Sequence, residues 1–152
     1  MYFGLFETVW PYRSGQVKGT VINTEMNILL VTMSLGIGGV ETHIAELAKE
    51  LIKRGNNVCI AANEGIYSGT LRQAGAETLI LPLDSRNPRA IIASYCGLKK
   101  YISDRKKHGH PIDIVHAHAR IPCMICGRLY NKFRGEFHYV TTAHGVYSRL
   151  PG

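Results

Sequence analysis

Long apolar runs, acidic residues and clustered cysteines are scarce in this sequence, and each scarcity narrows the reading. No apolar run approaches the roughly 20 residues that a bilayer-spanning helix needs, so no such helix is expected. The opening stretch, MYFGLFETVWPYRSG, is apolar and aromatic. It lacks a preceding basic segment and an uninterrupted apolar core, and does not read as a secretory leader. The four cysteines, Cys59, Cys96, Cys123 and Cys126, are scattered along the chain. That pattern excludes a small disulfide scaffold and fits free thiols in a reducing compartment. Asp and Glu total 11 against 18 Lys and Arg, a net charge of +7. The imbalance favours anionic partners (phosphorylated ligands, acidic lipid surfaces or nucleic acid) without choosing among them. Two phosphate-binding signatures are also missing. There is no G-K-[ST], which excludes a P-loop, and Gly36-Ile37-Gly38 begins a G-x-G-x-x-G whose third glycine is replaced by Glu41.

What remains is an ordinary globular composition, 152 residues with 45% hydrophobic and 19% charged side chains. It suffices for one domain with a sizeable core. Residues 1–25 share no period with the rest of the chain and read as a loosely ordered extension, or as an extra strand or apolar contact segment. The domain proper is expected over 26–152. Within it, Ile28 to Met33 is a continuous apolar run of the kind buried on both faces of a parallel sheet. Val40, Ile44, Leu47, Ala48, Leu51 and Ile52 then recur at helical spacing, closed by Arg54-Gly55. Further strands are predicted at Asn57–Ala62, Thr78–Pro82, Asp113–His116 and Phe137–Thr142. Helices are predicted at Gly69–Ala74, from Asn87-Pro88 to about Lys107, and at Ile121–Phe133. Regular alternation of strand and helix predicts an α/β fold, a Rossmann-like three-layer α/β/α sandwich around a mostly parallel sheet. Ligands of such sheets bind beyond the carboxyl ends of the strands. That places the Gly36–Gly39 turn, His118 and His144 on one rim.

Each candidate has a functional and a structural reading. The glycine turn lets backbone amides approach a ligand, or is simply a tight strand-to-helix connection. Gly38-Gly39-x-Glu41 suits a hydroxyl-rich ligand, with amides approaching it and the carboxylate accepting from hydroxyls; Glu41 also favours the helix dipole. His116 and His118, two apart, face the same way on a strand. His116 reads as a buried or rim histidine, and His118 as a loop residue facing the cleft. His144, followed by Gly145, is placed to bond a substrate hydroxyl or phosphate, or is a turn histidine. Cys123-x-x-Cys126 could be redox-active or, with His116 and His118, metal-binding; small core residues on an apolar helix explain it better, and no metal or cofactor is expected. Lys99, Lys100, Arg105, Lys106 and Lys107 read as a solvated face, or as a contact to anionic lipid. Without interleaved aromatics they do not point to nucleic acid. A nucleotide-binding Rossmann-type regulatory or binding module is the alternative, with Glu64 on a ribose.

MNILLVTMSLGIGGVETHIAELAKELIKRGNNV, with Leu81-Pro82, Asp113-Ile114-Val115-His116-Ala117-His118 and Thr141-Thr142-Ala143-His144-Gly145, resembles the N-terminal domain of retaining glycosyltransferases of family 4, which have the GT-B fold. The resemblance covers about residues 26–147. It implies an acceptor-side Rossmann-like domain, one half of a GT-B architecture. In the family the turn matching Gly38, Gly39 and Glu41 approaches the donor's phosphate or sugar. The histidine matching His144 contacts the transferred sugar, and His118 carries over as an acceptor-side or cleft residue. The implied activity is hexosyl transfer from a nucleotide-sugar to a glycan or lipid-linked acceptor of the cell envelope. A cytoplasmic location is implied, with contact to the inner face of the membrane. The nucleotide in this family is held mostly by a second α/β domain bearing an E-x7-E signature, which does not occur in these 152 residues. The chain is therefore expected to be truncated before that domain, to be inactive alone, and to need it as a continuation or as a separate chain.

Overall fold

The computed structural model describes residues 25–144. The proposed extension, apart from Glu25, and the terminal segment from Gly145 lie outside these residues. The element order is β1 (Asn27–Ser34), α1 (Gly39–Lys53), β2 (Asn57–Asn63), α2 (Tyr67–Gln73), β3 (Glu77–Ile80), α3 (Pro88–Lys107), β4 (Ile114–His118), α4 (Arg120–Lys132) and β5 (His138–Thr142). The five strands form one parallel sheet in the order β3-β2-β1-β4-β5.

The apolar run of β1 is continuous because both of its faces are covered. Leu30 pairs in register with Ile60 of β2 and His116 of β4, which makes β1 the central strand. Ile28 and Leu30 face one core layer with Ile44, Ala48, Ile60 and Leu71, under α1 and α2. Leu29 and Val31 face the other with Leu98, Ile102, Val115, Ile125, Leu129 and Phe137, under α3 and α4. Each fully buried aliphatic side chain contributes about 1.5–3 kcal/mol of transfer free energy. The helix ends follow their local chemistry. Asn87 caps α3 by accepting from Arg89 N–H at 2.9 Å, with Pro88 at the first helical position. Gly55 follows α1 at φ 85°, a left-handed conformation that glycine adopts without strain.

Several details depart from the sequence reading. β4 begins one residue later than expected and runs on to His118; Asp113 instead accepts from Asn27 N–H at 2.7 Å, tying the starts of β4 and β1. Arg105 does not lie on a solvated face. It is half-buried, and its Nη2 donates to Asn27 Oδ1 at 3.0 Å. Two neighbouring lysines are paired, Lys100 with Asp104 at 2.6 Å and Lys106 with Glu136 at 2.9 Å. The stripe on α3 is therefore less cationic than its sequence, and among the described residues no helix is long and apolar enough to cross a membrane.

Candidate functional site

Strand order reverses between β1 and β4, and their carboxyl ends open onto one rim. There the turn from Leu35 to Gly39 joins β1 to α1. None of Gly36, Gly38 and Gly39 has a positive φ in the left-handed region, so left-handed backbone is not why they are glycines. Gly38 is extended (φ 170°, ψ 169°), and a Cβ on it would collide with the Glu41 carboxylate, which folds back over the turn. Gly39 is different: a Cβ there would meet nothing within 4 Å. Internal packing therefore gives no reason for its small size. The amino end of α1 has no side-chain cap, so its first amides remain available to an acceptor.

The β2–α2 connection braces this turn. Leu35 N–H donates to Asn63 O and Tyr67 N–H donates to Leu35 O, both at 3.1 Å. Gly65 passes so close that any Cβ would overlap the Leu35 carbonyl group. Thr42 Oγ1 donates to Gly38 O at 2.8 Å and lies 3.0 Å from the Tyr67 hydroxyl.

Beside the turn lies a cluster of four imidazoles. His116 and His118 share one side of β4, with ring centroids 4.1 Å apart. His144, two residues beyond β5, stacks on His118 at 5.2 Å, and their Nε2 and Nδ1 atoms are 2.9 Å apart. His116 Nε2 is 2.7 Å from Thr142 Oγ1, clamping β4 to β5. The fourth ring, His43 on α1, stands edge-on to both His118 and His144 at 6.1 and 5.6 Å. Sequence reasoning misses this residue. Its only signal there is its place two residues after Glu41, one helical turn beyond the glycines.

His118 corrects an expectation. It is the last residue of β4 rather than a loop residue, and it is wholly buried (0% exposed) instead of facing the cleft. Burial, then the neighbouring His116, His144 and His43, pushes its pKa down to about 3. Burial, then His43 and His144, lowers that of His116 as well. His144 is half-buried and Glu41 is partly exposed, which leaves both in reach of a ligand. Directly after His118, Ala119 takes φ 71° and ψ 165°. That region is essentially reserved for glycine and costs about 1–3 kcal/mol. A hollow of about 260 Å³ opens there, lined by Ala119, Arg120, Cys123 and Thr141 to Ala143.

The other candidates separate from this rim. Cys126 is buried, and burial pushes both its thiol and that of Cys123 up, away from the reactive thiolate. Among the described residues no group of three or more His, Cys, Asp or Glu is arranged to hold a metal ion. Glu64, the ribose partner of the alternative reading, is paired with Arg72 at 2.9 Å. A cavity of about 510 Å³ lies at the opposite, amino end of the sheet, between Asn27, Asn57, Glu77, Tyr101 and Arg105.

The chain resembles solved glycosyltransferases. A glycosyltransferase from Rickettsia africae ESF-5 is 24% identical with a TM-score of 0.62, over 82% of this chain and 31% of that one. The calicheamicin glycosyltransferase CalG4 is 17% identical with a TM-score of 0.59, over 82% and 32%. Phytolacca americana UGT2, solved with UDP-2-fluoro-glucose and pterostilbene, is 12% identical with a TM-score of 0.53, over 78% and 30%. These likenesses establish the shared α/β fold, and the chain spans about a third of the length of each structure. No curated protein matches at a significant level. The model of the family described as Glycosyltransferase Family 4 matches residues 37–152, from the glycine turn onward. This chain belongs to glycosyltransferase family 4.

Proposed function

We propose that this chain forms the acceptor-side wall of a retaining hexosyltransferase cleft, in which a sugar passes from a nucleotide-sugar to a glycan or lipid-linked acceptor. The observation that carries the reading is the convergence on one rim of the uncapped α1 terminus at Gly38–Gly39, the Glu41 carboxylate and His144. Amides at the turn suit an anionic phosphate or a sugar oxygen. Glu41 accepts from sugar hydroxyls, and His144 bonds the sugar beside them. The UDP-sugar in the Phytolacca structure supports a nucleotide-sugar as the donor class.

A second α/β domain supplies the opposing wall and most of the nucleotide grip. A few hydrogen bonds at about 1 kcal/mol each, from one wall, give affinities of no better than about the millimolar range. The test is to titrate UDP-glucose and related sugar nucleotides into the ¹⁵N-labelled 152-residue chain while assaying transfer. Weak binding is expected, with shifts centred on Gly38, Gly39 and His144 and without turnover. Robust turnover by this chain alone would overturn the two-wall reading, and an unperturbed rim with every sugar nucleotide would overturn the site assignment. Protection by NAD against thermal unfolding would favour the nucleotide-binding module instead.

A further inference from the structure

We propose that His118 is a positioning residue that sets the tautomer of His144: the His118 Nδ1–H donates to His144 Nε2, so that the nitrogen His144 keeps for a ligand is a protonated Nδ1, a donor. The role belongs to the same rim and refines how that rim reads a ligand.

It follows from counting hydrogen-bonding groups. His118 has no exposed surface and is packed among the rings of His43, His116 and His144. With three imidazoles around it and no carboxylate partner among the described residues, its ring is neutral. A neutral imidazole has one N–H and one lone pair. Nδ1 faces His144 Nε2 at 2.9 Å, while the buried Nε2 has no hydrogen-bond partner. A proton on Nε2 would strand a buried N–H and leave Nδ1 as the acceptor. A proton on Nδ1 makes the bond to His144 and strands only a lone pair. Orphaned buried N–H groups are the rarer and costlier of the two, so the second arrangement holds. His144 Nε2 is then the acceptor, and the proton of the neutral His144 ring resides on Nδ1.

The consequence is chemical. Through Nδ1–H, His144 recognises an oxygen lone pair, on a sugar hydroxyl or a phosphate, and cannot remove a proton there. It binds and orients rather than acting as a general base. His116 holds the arrangement from behind, stacked on His118 and bonded to Thr142 on the strand that leads to His144.

The tautomer can be read without any ligand, so the result is independent of the proposed function. In a long-range ¹H–¹⁵N correlation spectrum of the full chain near neutral pH, His144 is expected to show a pyrrole-type Nδ1 and a pyridine-type Nε2. His118 should likewise show a protonated Nδ1. The reverse pattern at His144, or rapid averaging of its two nitrogens, overturns the proposal whether or not a sugar nucleotide binds. His118→Asn, whose amide N–H stands near the position of Nδ1, should preserve the His144 pattern. His118→Phe, if folded, should release it towards the Nε2–H form that free imidazole side chains favour. Retention of the wild-type His144 pattern in a folded His118→Phe chain would also overturn it. If the pattern is as expected but sugar nucleotides leave the rim unperturbed, the proposed function fails and the positioning role stands.

Discussion

Gly39 and Gly65 sit on opposite sides of one turn, and their neighbours predict opposite mutational outcomes. At Gly65 a methyl would overlap the Leu35 backbone, which cannot yield as a flexible side chain would. Gly65→Ala is expected to destabilise the fold by about 2 kcal/mol or more, read as a lower urea midpoint. At Gly39 a methyl meets open space at the start of α1. Gly39→Ala should leave stability unchanged or raise it by up to about 1 kcal/mol. The same variant should weaken sugar-nucleotide binding about tenfold, a loss of ~1.4 kcal/mol. A Gly39→Ala chain that lost stability, or that bound as well as wild type, would contradict a ligand-facing role for the turn. His43 belongs to the same scale. Helical periodicity makes it one more polar position on an amphipathic helix, and nothing in a one-dimensional pattern reveals that its ring meets residues of β4 and of the segment after β5.

Among the elements, most of the architecture was legible. Parallel strands covered on both faces have no polar alternation to preserve, so they stand out as apolar runs between turn residues. Asn87-Pro88 marked the start of α3 because cap and proline act locally. Removing that cap by Asn87→Ala is expected to cost about 1 kcal/mol, measured by chemical denaturation with an unchanged slope. What was less legible depended on a neighbouring strand. β4 continues to His118 because β5 pairs with it as far as His118↔Thr142. Arg105, read as part of a solvated stripe, turns inward because Asn27 at the start of β1 offers it an acceptor. The glycine turn was located correctly, between β1 and α1. A Cβ on Gly38 would meet the Glu41 carboxylate and one on Gly39 would meet nothing, and no left-handed backbone is involved.

For the molecule as a whole, the pair His116 and His118 links stability to pH. In the unfolded chain His116 and His118 have their ordinary value of 6.5, whereas folding lowers His118 to about 3 and lowers His116 too. Above about pH 6.5 both states hold His116 and His118 neutral, and these two rings add no pH dependence. As pH falls below that value the unfolded chain takes up protons that the folded chain refuses. Stability should fall by up to about 1.4 kcal/mol per pH unit for each ring, until the folded rings titrate. Urea midpoints between about pH 7.5 and pH 4.5 test this. They should drop steadily in the wild type and less in His118→Asn, and a flat wild-type profile would remove the linkage.

The reversal of strand order between β1 and β4 also has a kinetic consequence. The turn and His43 arrive with the first βα unit, but their partners arrive only with β4 and the residues after β5. During synthesis the β1-β2-β3 half can form through contacts between successive units. The rings meet only when a later strand returns past two completed units to dock on β1, at the loop-closure cost of a non-local contact. Assembly of the rim is therefore among the last events of folding, and a signal from the His43–His144 contact would report completion of the sheet rather than its beginning.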